Sequence, residues 1–163
     1  MDFLNKVEQA LTQLTHYDEA HIDRVFEELK PTAEDVSRYL LAPKGLEYGR
    51  NVIFKNDNSE VILVYLPPLA KTLVHDHGYS NGWIYIVEGN VLNMIYEERE
   101  EELLFVDSQL YKREETFSVS GETTHAMLNP ALTPAISLHV YSPPLGRGRV
   151  FFAKEDQQVK PHG

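Results

Sequence analysis

Hydrophobic residues in the first 42 positions recur with the period of amphipathic α-helices. We predict three short helices here, whose apolar faces are Leu4, Val7, Leu11 and Leu14, then Ile22, Val25, Phe26 and Leu29, then Val36, Tyr39 and Leu40. Asp2 and Thr32 are typical N-cap residues for the first and third helices, and Pro31 and Pro43 end the second and third. Helices this short are expected to pack onto a larger structure.

From about Val52 onward the apolar residues form short runs rich in β-branched and aromatic side chains, separated by turn residues. The predicted strands are residues 52–54, 61–66, 73–77, 83–87, 91–96, 103–106, 117–119 and 135–141. Many short strands at this spacing predict a mainly β fold, either a barrel or a double-sheet jelly roll. The acidic run of residues 97–102 is interpreted as a solvated hairpin tip.

Nothing in the pattern divides the chain into two domains. We expect one domain over residues 1–163, with residues 1–42 forming helices outside a β-barrel of residues 43–163. Trp83 and the pair Phe151 and Phe152 are expected to pack in the core, and His16, His21 and His162 to lie on the surface.

Composition then excludes several classes of function. The formal net charge is −10, which disfavours binding to nucleic acid and to anionic membranes. The chain has no cysteine, so a disulfide framework, an iron–sulfur cluster and a Cys nucleophile are all excluded. Neither a signal peptide nor a membrane span is visible in the apolar pattern, and we expect a cytoplasmic protein.

The most informative short motif is His75-Asp76-His77. On a strand, residues two apart face the same side, about 6.6 Å apart, so both imidazoles could reach one metal ion. Alone this motif is weak, because two polar residues at a strand end would look the same.

The residues that follow strengthen the metal interpretation. Gly89 lies at a predicted turn, and His125 and Asn129 follow it in the chain. Together with His75-Asp76-His77, this order of residues resembles the double motif of the cupin barrel. The general cupin pattern has a Glu ligand where this chain has Gly82. Three neutral imidazoles would leave the full charge on a divalent metal, which favours an anionic thiolate on ferrous iron. A structural zinc would require a fourth ligand, and none is evident.

Four segments together resemble the type I cysteine dioxygenases. They are Tyr48-Gly49-Arg50-Asn51, His75-Asp76-His77, His125 with Asn129, and the run of residues 137–144, and the likeness extends from about Tyr48 to Leu145. The resemblance implies that His75, His77 and His125 bind Fe(II). It also implies that Arg50, beside Tyr48, binds the carboxylate of L-cysteine, whose thiolate and amine would bind the iron.

Ser137, His139 and Tyr141 alternate along one predicted strand and therefore share a face. Such a stripe could simply be a satisfied buried network. The resemblance implies instead a Ser–His–Tyr relay in which Tyr141 presents its hydroxyl to the substrate, with His139 outside the metal's ligand set. It also suggests a cis Ser142–Pro143 bond. Many animal members carry, at the position of Gly82, a Cys that is cross-linked to the tyrosine, so Tyr141 is expected to stay unmodified here.

The expected function is therefore Fe(II)-dependent oxidation of L-cysteine by O2 to 3-sulfinoalanine, by a monomer without an organic cofactor. One alternative is dioxygenation of 3-mercaptopropionate or another small thiol. Enzymes of that kind also have Gly at the position of Gly82, but they typically have Gln where this chain has Arg50. A second alternative is a non-catalytic cupin that binds a metal or small ligand, which would not need the Ser137–His139–Tyr141 stripe.

Overall fold

The structure is a computed structural model that describes residues 1–146 and 148–151. Its helices are α1 (Phe3–Thr12), α2 (Glu19–Leu29) and α3 (Ala33–Val36), and a 3₁₀ turn, Ser37–Tyr39, continues α3. Within the described residues no helix has the length and apolar character needed to cross a membrane.

The three predicted N-terminal helices are present, and their ends follow from local hydrogen bonding. The third is shorter than predicted, since its 3₁₀ turn ends at Tyr39 and not at Pro43. The Asn5 amide donates to Asp2 Oδ1 at 2.9 Å, and Thr32 forms a capping box with Asp35. Asp18 caps α2 in the same way, which the sequence reasoning missed. Lys30 ends α2 in the left-handed conformation, with φ 34°.

The described part of the chain then forms β-strands that pair into two antiparallel sheets. The strands are β1 (Gly49–Lys55), β2 (Glu60–Leu66), β3 (Val74–His75), β4 (Asn81–Glu88), β5 (Asn90–Arg99), β6 (Glu102–Lys112), β7 (Thr116–Val119), β8 (Thr124–Leu128), β9 (Ala135–Ser142) and β10 (Val150–Phe151). The first sheet has the order β1-β2-β9-β4-β7, and the second has the order β10-β3-β8-β5-β6. The mainly β, double-sheet prediction is confirmed.

Alternation along the strands gives the first sheet two apolar faces. One face packs against the helices, where Val61, Leu63 and Trp83 contact the apolar sides of α1 and α2. The other face carries residues such as Ile62 and Ile84 and packs in the core between the two sheets. The expectation that Trp83 is a core residue is confirmed.

Several strand predictions were wrong in extent. The predicted strand of residues 73–77 contains only Val74–His75, because the chain then leaves the ladder: the Asp76 amide donates to the Arg149 carbonyl and the His77 amide to the Gly121 carbonyl. Strands β8 and β10 were not predicted, and β6 is much longer than expected. The hairpin tip between β5 and β6 is acidic as predicted, with Glu100 and Glu101 at positive φ.

The predictions for residues outside the site are partly confirmed. His16 is exposed, whereas His21 is half-buried and pairs with Asp18 at 2.6 Å. Phe151 is half-buried, with the Arg149 guanidinium 4.9 Å from its ring centre. Phe152 and His162 lie outside the described residues.

Candidate metal centre

Three histidines converge in the interior from the second sheet and the turn beside it. His75 on β3 and His125 on β8 are direct antiparallel partners, and their ring centres are 4.7 Å apart. The turn after β3 brings His77 back, so that its ring centre is 4.8 Å from that of His75 and 5.1 Å from that of His125. One nitrogen from each ring lies within 4.8 Å of the other two. These three residues form a group that could hold a metal ion.

The ring nitrogens of this group differ in their hydrogen bonding. His75 Nδ1 lies 2.6 Å from the Leu73 carbonyl oxygen, and His125 Nδ1 lies 2.7 Å from Asn93 Oδ1. Both nitrogens of His77, and Nε2 of His125, are buried without a partner among the described residues. Burying polar atoms without partners costs free energy, which a bound cation would offset. The donor set therefore fits a metal ion.

Burial also sets the protonation state that a metal ligand requires. It lowers the pKa of His77 to about 3, with the charge of His75 adding to the effect, and it lowers the pKa values of His75 and His125 as well. All three imidazoles are thus held neutral, with a lone pair available for a cation.

A cavity of about 210 Å³ opens beside the three rings. Its walls are largely apolar, formed by Ile62, Val64, Leu73, Met127 and Leu145. Tyr48, Arg50, His139 and Tyr141 also line it. The cavity therefore combines the histidine group with basic side chains, tyrosine hydroxyls and a further imidazole.

Two arginines line this cavity, and their surroundings differ. The Nε of Arg149 donates to Asp76 Oδ2 at 2.9 Å, and its Nη1 donates to Glu98 Oε2 at 3.3 Å. Arg50, on β1, makes no ion pair with any residue that the structure describes. Arg50 is therefore the cavity arginine whose charge is available to an anionic ligand.

The stripe on β9 forms a continuous hydrogen-bonded chain. Ser137 Oγ lies 2.7 Å from His139 Nε2, and His139 Nδ1 lies 2.9 Å from the Tyr141 hydroxyl. Both ring nitrogens of His139 are thus engaged. Burial lowers the pKa of His139 and raises that of Tyr141, so both groups are neutral. The Tyr141 ring centre is 4.8 Å from that of His77, which places the end of the chain beside the histidine group.

Gly82 is the direct partner of Tyr141 across β4 and β9. A Cβ at Gly82 would lie 2.7 Å from Tyr141 Cε1, so the tyrosine ring occupies the space that a side chain would need. The Ser142–Pro143 bond is cis, as the family resemblance suggested.

Sequence reasoning missed two supporting residues and assigned no role to a third, Asn129. Asn93 contacts His125, and Asp76 holds Arg149 through both its side chain and its backbone amide. Neither pairing has a local sequence signal, because the partners are far apart in the chain. Asn129, part of the motif, donates to the carbonyl oxygens of Leu66, Pro67 and Thr133, which braces a loop.

Two facing antiparallel sheets with a buried three-histidine group between them define a cupin-type protein with a candidate metal site. The model of the family described as cysteine dioxygenase type I matches residues 3–154, and the chain belongs to that family. Membership gives the protein a function of the thiol dioxygenase type.

Solved structures with a similar fold have low sequence identity to this chain. A protein from Thermus thermophilus is 22% identical with a TM-score of 0.56, over 68% of this chain and 95% of that one. An uncharacterized conserved protein with a double-stranded β-helix domain from Klebsiella pneumoniae is 17% identical with a TM-score of 0.56, over 72% and 95%. The cupin domain of Schizosaccharomyces pombe Cnp3 is 12% identical with a TM-score of 0.52, over 63% and 66%. At these identities the likeness shows the fold alone.

Proposed function

We propose that the protein is an Fe(II)-dependent dioxygenase that converts L-cysteine and O2 into 3-sulfinoalanine. The observation that carries this proposal concerns one cavity: it holds buried histidine nitrogens without hydrogen-bond partners and an arginine without an ion pair, both within the described residues. His75, His77 and His125 would hold the metal, and Arg50 would bind the substrate carboxylate.

Iron is favoured by the chemistry of the donor set. The three donors are neutral, and the group contains no carboxylate, so the charge of a divalent ion would be available to an anionic thiolate. Bound there, Fe(II) would supply the redox chemistry that dioxygen requires. Three protein ligands leave room for other donors, unlike the closed shell of a structural zinc site.

Arg50 is suited to recognise the carboxylate end of an amino-acid thiol. A guanidinium binds a carboxylate through two parallel hydrogen bonds. The positive charge of Arg50 contributes to lowering the pKa values of His75 and His77, so its field reaches the histidine group. Tyr48 lines the cavity beside Arg50 and would help to position the same end of the substrate.

Tyr141 would act as a neutral hydrogen-bond donor to the bound substrate. If Ser137 donates to His139 Nε2, then His139 donates from Nδ1 to the Tyr141 oxygen, and the phenol proton remains free to point into the cavity. The raised pKa of Tyr141 keeps that proton in place at neutral pH. The apolar walls limit the access of water to the reacting sulfur.

The overall reaction balances without an external reductant. L-cysteine and one O2 give 3-sulfinoalanine, with both oxygen atoms on sulfur. The sulfur loses four electrons and the two oxygen atoms gain them, so the sulfur reaches the sulfinic level.

Arg50→Ala is the variant that tests the substrate assignment. We expect it to raise the KM for L-cysteine by about 10- to 100-fold, the equivalent of a lost charged hydrogen-bonded pair, while affinity for the metal stays unchanged. Arg99→Ala is the matched control, since Arg99 pairs with Glu97 on the exposed hairpin. An unchanged KM in Arg50→Ala would contradict the assignment.

The second candidate is dioxygenation of 3-mercaptopropionate, since enzymes of that kind also have glycine at the position of Gly82. That thiol lacks the amine, so it would lose one contact with the metal. Oxygen uptake measured with L-cysteine, 3-mercaptopropionate and cysteamine separates the two. The proposal predicts the highest kcat/KM for L-cysteine, and a higher value for 3-mercaptopropionate would replace it with the second candidate.

A further inference from the structure

Within the described residues, His125 is the only one of the three histidines whose ring is hydrogen-bonded to another side chain. The His75 ring contacts a backbone carbonyl within its own segment, and the His77 ring has no hydrogen-bond partner in this part of the chain. His125 lies at 2.7 Å from Asn93 Oδ1, and both residues are buried. The two residues come from neighbouring strands, β8 and β5, which are paired in the second sheet.

Asn93 lies at a position where the strand pattern calls for an apolar residue. Along β5, Val91 and Asn93 are both buried, whereas Leu92 and Met94 are partly exposed. Burying an amide there costs free energy unless its polar atoms are bonded. Within the described residues, the Asn93 side chain makes one hydrogen bond, and it is the one to His125. The hydrogen bond to His125 therefore explains a buried asparagine at this strand position better than packing does.

A neutral imidazole carries one N–H, so its partner decides which nitrogen is left as a donor atom for a metal. An acceptor at Nδ1 fixes the proton there and leaves the lone pair on Nε2. The structure shows Nε2 of His125 buried and without a hydrogen-bond partner among residues 1–146 and 148–151. The same contact also limits rotation of the ring.

We propose that Asn93 is a positioning residue, which holds His125 in the tautomer and orientation that direct Nε2 towards the metal. The proposal rests on the proposed metal group but not on the identity of the thiol. Residues that orient a histidine ligand in this way commonly change metal affinity by about 10- to 100-fold when they are removed.

Three variants separate this role from a role in packing. Asn93→Leu keeps the branched shape and the number of non-hydrogen atoms of the side chain and removes the acceptor. Asn93→Asp keeps the acceptor oxygen. Asn51→Leu is the control, since Asn51 donates an equally short hydrogen bond, 2.7 Å to the Tyr39 carbonyl, and within the described residues makes no hydrogen bond to any of the three histidines.

The measurement is the affinity for Fe(II) and Co(II), by anaerobic competition with a chromophoric chelator, together with the visible spectrum of the Co(II) form. We expect Asn93→Leu to bind about 10- to 100-fold more weakly and with an altered Co(II) spectrum. We expect Asn93→Asp and Asn51→Leu to bind as the unmodified protein does. Thermal unfolding of each metal-free variant checks that it folds.

Two results would overturn the proposal. One is an Asn93→Leu variant with unchanged affinity and spectrum. The other is an Asn93→Asp variant that loses as much affinity as Asn93→Leu, since the acceptor would then be irrelevant. Because no thiol is present, failure here is distinct from failure of the proposed reaction, which would appear as tight metal binding without oxidation of cysteine.

Discussion

Two buried polar groups face the same cavity from the two sheets, and they differ in how completely they are hydrogen-bonded. The Ser137–His139–Tyr141 chain on β9 has every ring nitrogen engaged. The group of His75, His77 and His125 leaves three buried nitrogens without partners in the described part of the chain. A satisfied network is stable as it stands, whereas the unsatisfied group gains free energy when a ligand arrives. This contrast agrees with the proposed roles, in which the first group assists the reaction and the second binds the metal.

The largest expected effect comes from removing a member of the unsatisfied group. We predict that His77→Ala lowers metal affinity by more than about 100-fold, since loss of a ligand should exceed loss of a residue that only supports one. Thiol oxidation should fall with it. His16→Ala, an exposed histidine, is the control. Retention of tight metal binding in His77→Ala, measured by calorimetry, would show that His77 is not a ligand.

Removing a hydroxyl from the hydrogen-bonded chain should lower the reaction rate without changing the affinity for the metal. We predict that Tyr141→Phe lowers kcat by on the order of 100-fold, the typical contribution of one positioned proton donor. Metal affinity should not change. Tyr85→Phe is the matched control, because Tyr85 is equally buried but packs on the helix side of the first sheet. A Tyr141→Phe variant with normal kcat would remove the tyrosine from the mechanism.

Burial of His77 should also make the stability of the metal-free protein depend on pH. The folded protein holds the pKa of His77 near 3, whereas the unfolded chain takes up that proton at about 6.5. The unfolded state therefore binds more protons between these values, so stability falls as pH drops from about 6.5. His77 contributes at most about 1.4 kcal/mol per pH unit.

Urea unfolding of the metal-free protein between pH 7.5 and 5 measures this slope. His77→Ala should show a shallower slope than the unmodified protein, and His16→Ala should show the same slope. Equal slopes in the unmodified protein and in His77→Ala would show that His77 is not held neutral by burial.

The smallest effect is expected at the far end of the hydrogen-bonded chain. Ser137→Ala removes one hydrogen bond to His139, which is worth about 1 kcal/mol, so kcat should fall by about fivefold. Combining Ser137→Ala with Tyr141→Phe should add little, because both act through one chain. Fully multiplicative effects in steady-state assays would indicate that the two residues act independently.

Much of the fold could be predicted from local patterns, and the failures have physical causes. Strand β8 was missed because its residues, Thr124–Leu128, include Ala126, Met127 and Leu128, which favour helices. Pairing with β3 and β5 overrides that preference. Strand β3 was predicted too long because hydrogen bonds to Arg149 and Gly121, distant in the chain, end it.

In the candidate site, too, local patterns could be predicted from the sequence and contacts between distant residues could not. Alternation along one strand was enough to place Ser137, His139 and Tyr141 on one face. The spacing of His75 and His77 suggested a shared ion only together with Gly89, His125 and Asn129, and the strand geometry assumed for it was wrong, because β3 ends at His75 and a turn places His77. Asn93 could not be found in this way, because its partner lies on another strand and nothing in the sequence around it marks the pairing.

The most direct test of the central claim is a single experiment on the iron-loaded protein. L-cysteine is added without oxygen, and ¹⁸O₂ is then admitted while oxygen uptake and product mass are followed. The proposal predicts one 3-sulfinoalanine per O2 consumed, with both labelled atoms in the product. Tight iron binding with no sulfinate, or a product that carries oxygen from water, would contradict it.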